Sequence, residues 1–321
     1  MFNRYRWFFL VIGLLPTLAV AQPYPAKPVK LVVGFAPGGA ADQVSRAYQE
    51  VLSRELGQPV LVENRAGAGS SIAAEYVAKS APDGYTLLIA SPSSILVNPI
   101  LSPKAGFDPR RDLLPVSKVS SSPLVVAAHA SVGAANLREL IALAKKSPGK
   151  LNYGSSGNGS APHLAGEMLA QATGVKLVHV PFKGGAPALT EVMAGRIQLY
   201  FSTITQALPS IKAGKLKALA ISSRKRSAAL PDVPTLEEAG VPNFDIVDWF
   251  GLLAPRATPA ATMERLSTEV IRATNQPELR GRLAAEGFDV VASTPEEFDR
   301  LLRKDIDLYG RVVKSAGVKI E

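Results

Sequence analysis

The sequence predicts an α/β fold, and three observations carry that prediction. Short apolar, β-branched runs alternate with stretches of helical periodicity through most of the chain. Four of the junctions between them are built from glycine and small residues, and the last 65 residues read as helix alone. The strand-like runs are 29–35, 60–63, 86–90, 123–128, 177–180, 197–201, 216–221 and 250–254. Between most of them, apolar residues recur at helical spacing over 41–56, 71–79, 137–145, 161–173, 187–194 and 205–212. Such alternation signals βαβ units and parallel sheets. The tail reads as helices over 260–274, 277–285 and 295–316, and a tail of this kind often packs back onto the first domain. No repeat, low-complexity tract or flexible linker is present. Two domains must then share more than one crossing.

Composition narrows the function. The chain has 321 residues, of which 47% are hydrophobic, enough for a core and against wholesale disorder. With no cysteine, a disulfide framework, a Cys-ligated metal and a thiol nucleophile are excluded. His129, His163 and His179 lie far apart, without metal-ligand spacing, so no metal and no cofactor is expected. The net charge of +9 invites a nucleic-acid reading. Only 7% of residues are aromatic, however, and the basic residues are scattered. The run Arg224-Lys225-Arg226 reads as a solvated turn, and no nucleic-acid partner is expected.

Residues 1–21 read as a signal peptide rather than as fold. Arg4 and Arg6 form a basic start, Trp7–Leu18 an apolar stretch, and Ala19-Val20-Ala21 an A-x-A cleavage site. Cleavage there would begin the mature chain at Gln22 and lower the net charge from +9 to +7. Without a lipobox cysteine, the expectation is a soluble protein free in the periplasm.

The glycine-rich junctions are 34–39, 65–71, 154–160 and 183–185. Glycine lets backbone N–H groups approach a ligand, and the following helix turns its positive end toward it. Several such junctions at the carboxyl ends of parallel strands suggest an anion site. Known phosphate motifs fit badly. Gly34 to Gly39 has P-loop spacing, but Ala40-Ala41 replaces Lys-Ser/Thr, and 67–72 and 157–162 lack the third glycine of a dinucleotide fingerprint. No G-x-S-x-G elbow occurs. Ser160, three residues before His163, either caps a helix or touches the ligand; a nucleophilic role is disfavoured. Asp42 fixes its loop more economically than it receives a ligand, because an exposed carboxylate would repel an anion. Gly39 is the position expected to need glycine's freedom. Lys183 reads equally as a ligand cation and as an ordinary turn lysine.

These residues resemble a family. Phe35-x-Pro37-Gly38-Gly39-x-x-Asp42, Val62-Glu63-Asn64-Arg65-x-Gly67-Ala68-Gly69 and Pro82-Asp83-Gly84-Tyr85-Thr86-Leu87 are similar to segments of the solute-binding proteins of tripartite tricarboxylate transporters, the Bug receptors. The likeness continues through Asn98-Pro99, Phe107-Asp108-Pro109-x-x-Asp112, Tyr153-Gly154-Ser155-x-Gly157-x-Gly159-Ser160-x-x-His163-Leu164 and His179-Val180-Pro181-Phe182-Lys183-Gly184. It extends through Pro231–Thr235, Trp249-x-Gly251, Thr294–Phe298 and Ala316-Gly317. Two departures stand out: Arg256-Ala257 within a loop where the family usually has Ala-Gly, and Gln198 where an aspartate is common.

The resemblance implies a type II-like periplasmic binding protein: two α/β lobes joined by two crossing strands, 123–128 and 250–254, with the helical tail on lobe one. Domain one would hold 22–121 and 250–321, and domain two 122–249. A small carboxylate would be caught between the lobes by the loop Phe35–Asp42 (Phe35, Pro37, Gly38, Gly39, Asp42) and the loop Ser155–His163 (Ser155, Ser156, Gly157, Gly159, Ser160, His163), with Lys183 alongside. The expected role is that of a monomeric receptor delivering its ligand to membrane transporter subunits. A ligand-sensing partner of a sensor kinase would need the same pocket. An exported enzyme is disfavoured by the missing acid–base and metal constellations.

Overall fold

The computed structural model describes residues 24–101 and 107–316. The expected signal segment 1–21, the start at Gln22, and Gly317 lie outside the described residues. In chain order the elements are β1 (Val29–Val33), α1 (Ala40–Leu56), β2 (Val60–Asn64), α2 (Ser71–Ala78), β3 (Thr86–Ala90), α3 (Asn98–Leu101), α4 (Pro109–Asp112) and β4 (Leu113–His129). Then come α5 (Leu137–Lys146), β5 (Asn152–Ser155), α6 (Ala161–Thr173), β6 (Val178–Pro181), α7 (Gly185–Met193), β7 (Leu199–Thr203), α8 (Ile204–Lys212) and β8 (Leu216–Ile221). The chain closes with β9 (Val247–Pro255), α9 (Ala260–Thr274), α10 (Pro277–Ala285), β10 (Asp289–Val290) and α11 (Pro295–Ala316).

Two parallel trios form the frame. In one, β1 pairs with β2 and β3; in the other, β5 pairs with β6 and β7. The expectation of parallel sheets holds for these trios and fails between them, where β9 and β4 run antiparallel to their neighbours in the order β2-β1-β3-β9-β4-β7-β5-β6. β4 changes partner part-way along. Leu113 to Pro123 pair with β9, whereas Leu124 to Ala128 pair with β7. The strand expected at 123–128 is therefore the second half of a 17-residue strand. Register shifts at Pro115/Ser117 and Lys118/Ser120 let β4 carry proline without breaking the ladder.

Each trio is covered by its own helices. α1 ends in a left-handed Gly57, with Asp42 in its first turn and Arg54 in its last, as the helix dipole favours. Its face of Val44, Ala47, Tyr48, Val51 and Leu52 is buried with β1 and the tail helices α9 and α10. The Tyr48 hydroxyl meets Thr274 Oγ1 at 2.7 Å, tying the tail to the first lobe. α11 reaches further. It lies along β4 and touches the paired β9, whose Trp249 Nε1 donates to Asp305 (2.9 Å) and whose Gly251 leaves the space that the Phe298 ring occupies, and it also packs on α6 of the second lobe.

Candidate functional site

Five helices, α1, α2, α6, α7 and α8, begin where a parallel strand ends, and their starts line either the interlobe cleft or a smaller space that shares Phe35 and Ser156 with it. The cleft has a volume of about 800 Å³, within the range of small-molecule sites, and its walls include Phe35, Gly69, Ser70, Asn98, Gly157 and Lys183. Deeper between the lobes lies a space of about 20 Å³, large enough for one water-sized group. Its lining combines the start of α1 (Gly39, Ala40, Ala41), Pro162 of α6, Gly185 of α7, Thr203 at the end of β7 and Gln206 of α8, with Ser156, Asp248 and Phe250. Of the five helix starts, α1, α2, α7 and α8 have no side-chain cap. Uncapped N–H groups carry partial positive charge and no intrahelical partner, so the cleft collects donors for an anion.

The β1–α1 loop is shaped by Asp42. Its carboxylate accepts from the Gly38 N–H (2.9 Å), Arg46 Nε (2.8 Å) and Asn64 Nδ2 (2.9 Å). Burial alone would raise this carboxyl, but Arg46, Gly38 and Asn64 outweigh burial and hold it below its ordinary value. The loop-fixing role is thus the one the side chain performs. Gly38 adopts φ +80°, while Gly39 has φ −78°, so the need for glycine's freedom falls on Gly38 and not, as expected, on Gly39. Pro37 and Gly38 are exposed and line neither cavity; Phe35 lines both, and Gly39 the deeper one.

The β5–α6 loop is held by a neutral network. Ser160 caps α6, accepting from the His163 N–H. The His163 ring accepts from the Gly159 N–H through Nδ1 (3.0 Å) and stacks on His179 at 3.7 Å, 7° from parallel. His179 Nε2 lies 2.6 Å from Ser155 Oγ, which also accepts from the Gly157 N–H. Burial depresses His163 to about 4; burial and the neighbouring His163 take His179 to about 3, so both rings are neutral near pH 7. The side chains of Ser155, Ser160 and His163 are therefore engaged within the loop. Ser156 lines both cavities, and Gly157 and the exposed Lys183 line the cleft.

The lobes already touch across the site. The Ala36 N–H donates to the Lys183 carbonyl at 3.0 Å, and a Cβ on Gly69 would stand 2.6 Å from the Asn158 carbonyl. Sequence reasoning flagged the junction 65–71 but named none of its residues as ligand contacts. Ala68, Gly69 and Ser70 all have positive φ, and the buried Ser70 Oγ, which has no partner, belongs to the cleft wall. Asn98 holds this junction by donating to the Ala68 carbonyl (3.2 Å). Thr203, Gln206 and Asp248 were also missed, and no motif marks them. Among the described residues, no group of three or more His, Asp or Glu is placed to hold a metal ion.

Residues 44–318 match the family described as tripartite tricarboxylate transporter family receptor. The chain belongs to that family. It is a solute-binding protein with the fold of the periplasmic binding proteins. BugT of Bordetella pertussis is 36% identical over 318 residues, covering 97% of this chain and 98% of BugT. Among solved structures, the periplasmic binding protein BugD superposes with TM-score 0.89 at 33% identity, covering 93% of this chain and 100% of BugD. The R. palustris protein Rpa4515, solved with adipate, gives TM-score 0.89 at 33% identity, with 92% and 99% covered. MatC from Rhodopseudomonas palustris, solved with bound malate, gives 0.86 at 33%, with 90% and 100% covered.

Proposed function

We propose that this receptor captures a small carboxylate between its lobes and delivers it to the membrane subunits of a tripartite tricarboxylate-type transporter. The observation that carries the reading is the convergence of uncapped helix starts on the interlobe space. The adipate and malate in the related structures are both carboxylates, which supports the same ligand class here. In this reading the carboxylate contacts come from the loops 35–42 and 155–163, with the exposed Lys183 alongside on the cleft wall, and the side chains of Asp42, Ser155, Ser160 and His163 support those loops from behind. The lobes correspond to 22–121 with 250–321, and to 122–249. The change of partner along β4 between Pro123 and Leu124 supports that division.

The protein acts without catalysis, as a periplasmic monomer. The Ser155–His179 contact has the residue types of a nucleophile pair, but Ser155 is fully buried and lines neither cavity, so a substrate would not meet it. The periplasmic setting of BugD supports the location. A sensor-kinase partner would use the same pocket, and no feature of the cleft favours it.

A thermal-shift screen against mono-, di- and tricarboxylic acids, adipate and malate included, tests the reading. A bound acid at about 100 times its Kd stabilises by about 2.7 kcal/mol, a clear rise in melting temperature. No shift with any acid, and a shift with a cationic or neutral solute instead, would overturn it.

A further inference from the structure

One side chain in the deep interlobe space runs against its surroundings. Asp248 sits near the start of β9, opposite Ser122, where the chain returns from the second lobe to the first. It is 9% exposed and shares the small space with Thr203, Gln206 and the start of α1. Its carboxyl receives a hydrogen bond from the adjacent Trp249 N–H, and among the described residues no Lys, Arg or His forms an ion pair with it. Burial pushes the group up to about 7, the Trp249 N–H offsetting this only in part, so its negative charge lacks a counterpart in the structure.

A carboxylate at the centre of an anion-collecting site opposes a second anion there. It becomes useful when the ligand brings a donor. A hydroxyl or an ammonium group next to the ligand's carboxylate places a hydrogen on the Asp248 oxygens while the carboxylate takes the helix N–H groups. Thr203 is already turned toward Thr205 (Oγ1 to Oγ1, 3.0 Å), and Gln206 lies over Gly185, where a Cβ would stand 1.9 Å from its Oε1. Among the residues lining the gap, Asp248 is the one ionisable group and so the strongest acceptor there for a ligand's donor.

We propose that Asp248 is a specificity-determining residue of this receptor, selecting a carboxylic acid that carries a hydroxyl or ammonium donor over the same skeleton without one. This rests on the carboxylate reading given above. Sites built to accept a ligand hydrogen reject analogues that lack it, because the buried acceptor is left unpaired.

Titration calorimetry with two matched series provides the test: succinate, malate and aspartate, then adipate, 2-hydroxyadipate and 2-aminoadipate. In the series the wild type binds, a donor-bearing member should be at least about tenfold tighter than the plain diacid. Asp248→Asn should bring an ammonium preference to within about threefold, and Asp248→Leu should remove a hydroxyl preference, with circular dichroism showing each variant folded. Equal binding of the plain and donor-bearing acids by the wild type would overturn the inference while leaving the carboxylate reading intact; so would an unchanged preference in both variants. If no member of either series binds while another acid found in the screen does, the inference fails and the carboxylate reading stands; if no acid binds at all, both fall. The wild-type ratio stands as a test even where a variant does not fold.

Discussion

The β1–α1 and β5–α6 loops face one another across the cleft and solve the same problem by different means. The first is held by a charge: Asp42 gathers Gly38, Arg46 and Asn64 around one carboxylate. The second is held by neutral groups: Ser160 caps its helix, and two stacked imidazoles tie Ser155 and Gly159 into place. The first loop thereby leaves the start of α1 uncapped, whereas the second has closed part of its own donor set. Of these two loops, the first therefore offers the more open set of donors, while on the second lobe the open starts are those of α7 and α8.

Acid should separate the two loops most strongly. His163 and His179 titrate at about 4 and about 3 in the folded protein, against an ordinary value of 6.5. The unfolded chain binds more protons in that interval, so their contribution is full above pH 6.5 and is lost as pH falls toward 4. Asp42, held below 3.8, keeps its contribution through that window and loses it only at lower pH. Urea midpoints of the wild type should drop steeply between pH 6.5 and 4, and less steeply for His163→Gln. Identical slopes would mean the imidazoles do not govern the second loop.

Asp42→Ala comes next, with an expected loss of about 3 kcal/mol in urea unfolding at pH 7, because Gly38 and Asn64 lose their shared acceptor. Gly39→Pro should weaken an acid found in the screen by roughly ten- to a hundredfold with little change in stability. A φ of −78° admits the ring, so the substitution chiefly deletes one N–H at the uncapped helix start. Ser160→Ala should cost about 1 kcal/mol of stability, the worth of a cap, and change affinity by less than about threefold. The smallest effect is expected from Lys183→Ala, within about twofold in calorimetry at physiological salt, because the side chain is exposed and screened. If Lys183→Ala abolishes binding and Gly39→Pro spares it, the lysine and not the helix ends holds the anion.

How much of this could be read beforehand follows from what each segment displays. Helices 161–173, 260–274, 277–285 and 295–316 coincide with the sequence reading because amphipathic spacing, prolines near their starts and small residues beyond their ends are local signals. The first half of β4 was invisible, since Pro115, Pro123 and Ser120–Ser122 resemble a loop, and only pairing with β9 makes them a strand. β5, Asn152–Ser155, lacks an apolar run; it is a strand because β6 and β7 flank it. The site divides the same way. Glycine junctions announce Phe35–Asp42 and Ser155–His163, but Thr203, Gln206 and Asp248 enter from elements far along the chain, and only the folded topology brings them to the gap.

The uncapped helix ends also bear on how a ligand leaves. Attraction from a helix terminus fades within about one turn, unlike that of a full cationic charge, which would follow an anion outward. A solute held by α1 on one lobe and by α7 and α8 on the other feels the full grip only while both lobes surround it. A few ångströms of separation dismantle the site, and no cationic side chain lines its depth to retain the carboxylate. For a carrier that must surrender its load to a membrane partner, mechanical opening is then itself the release signal.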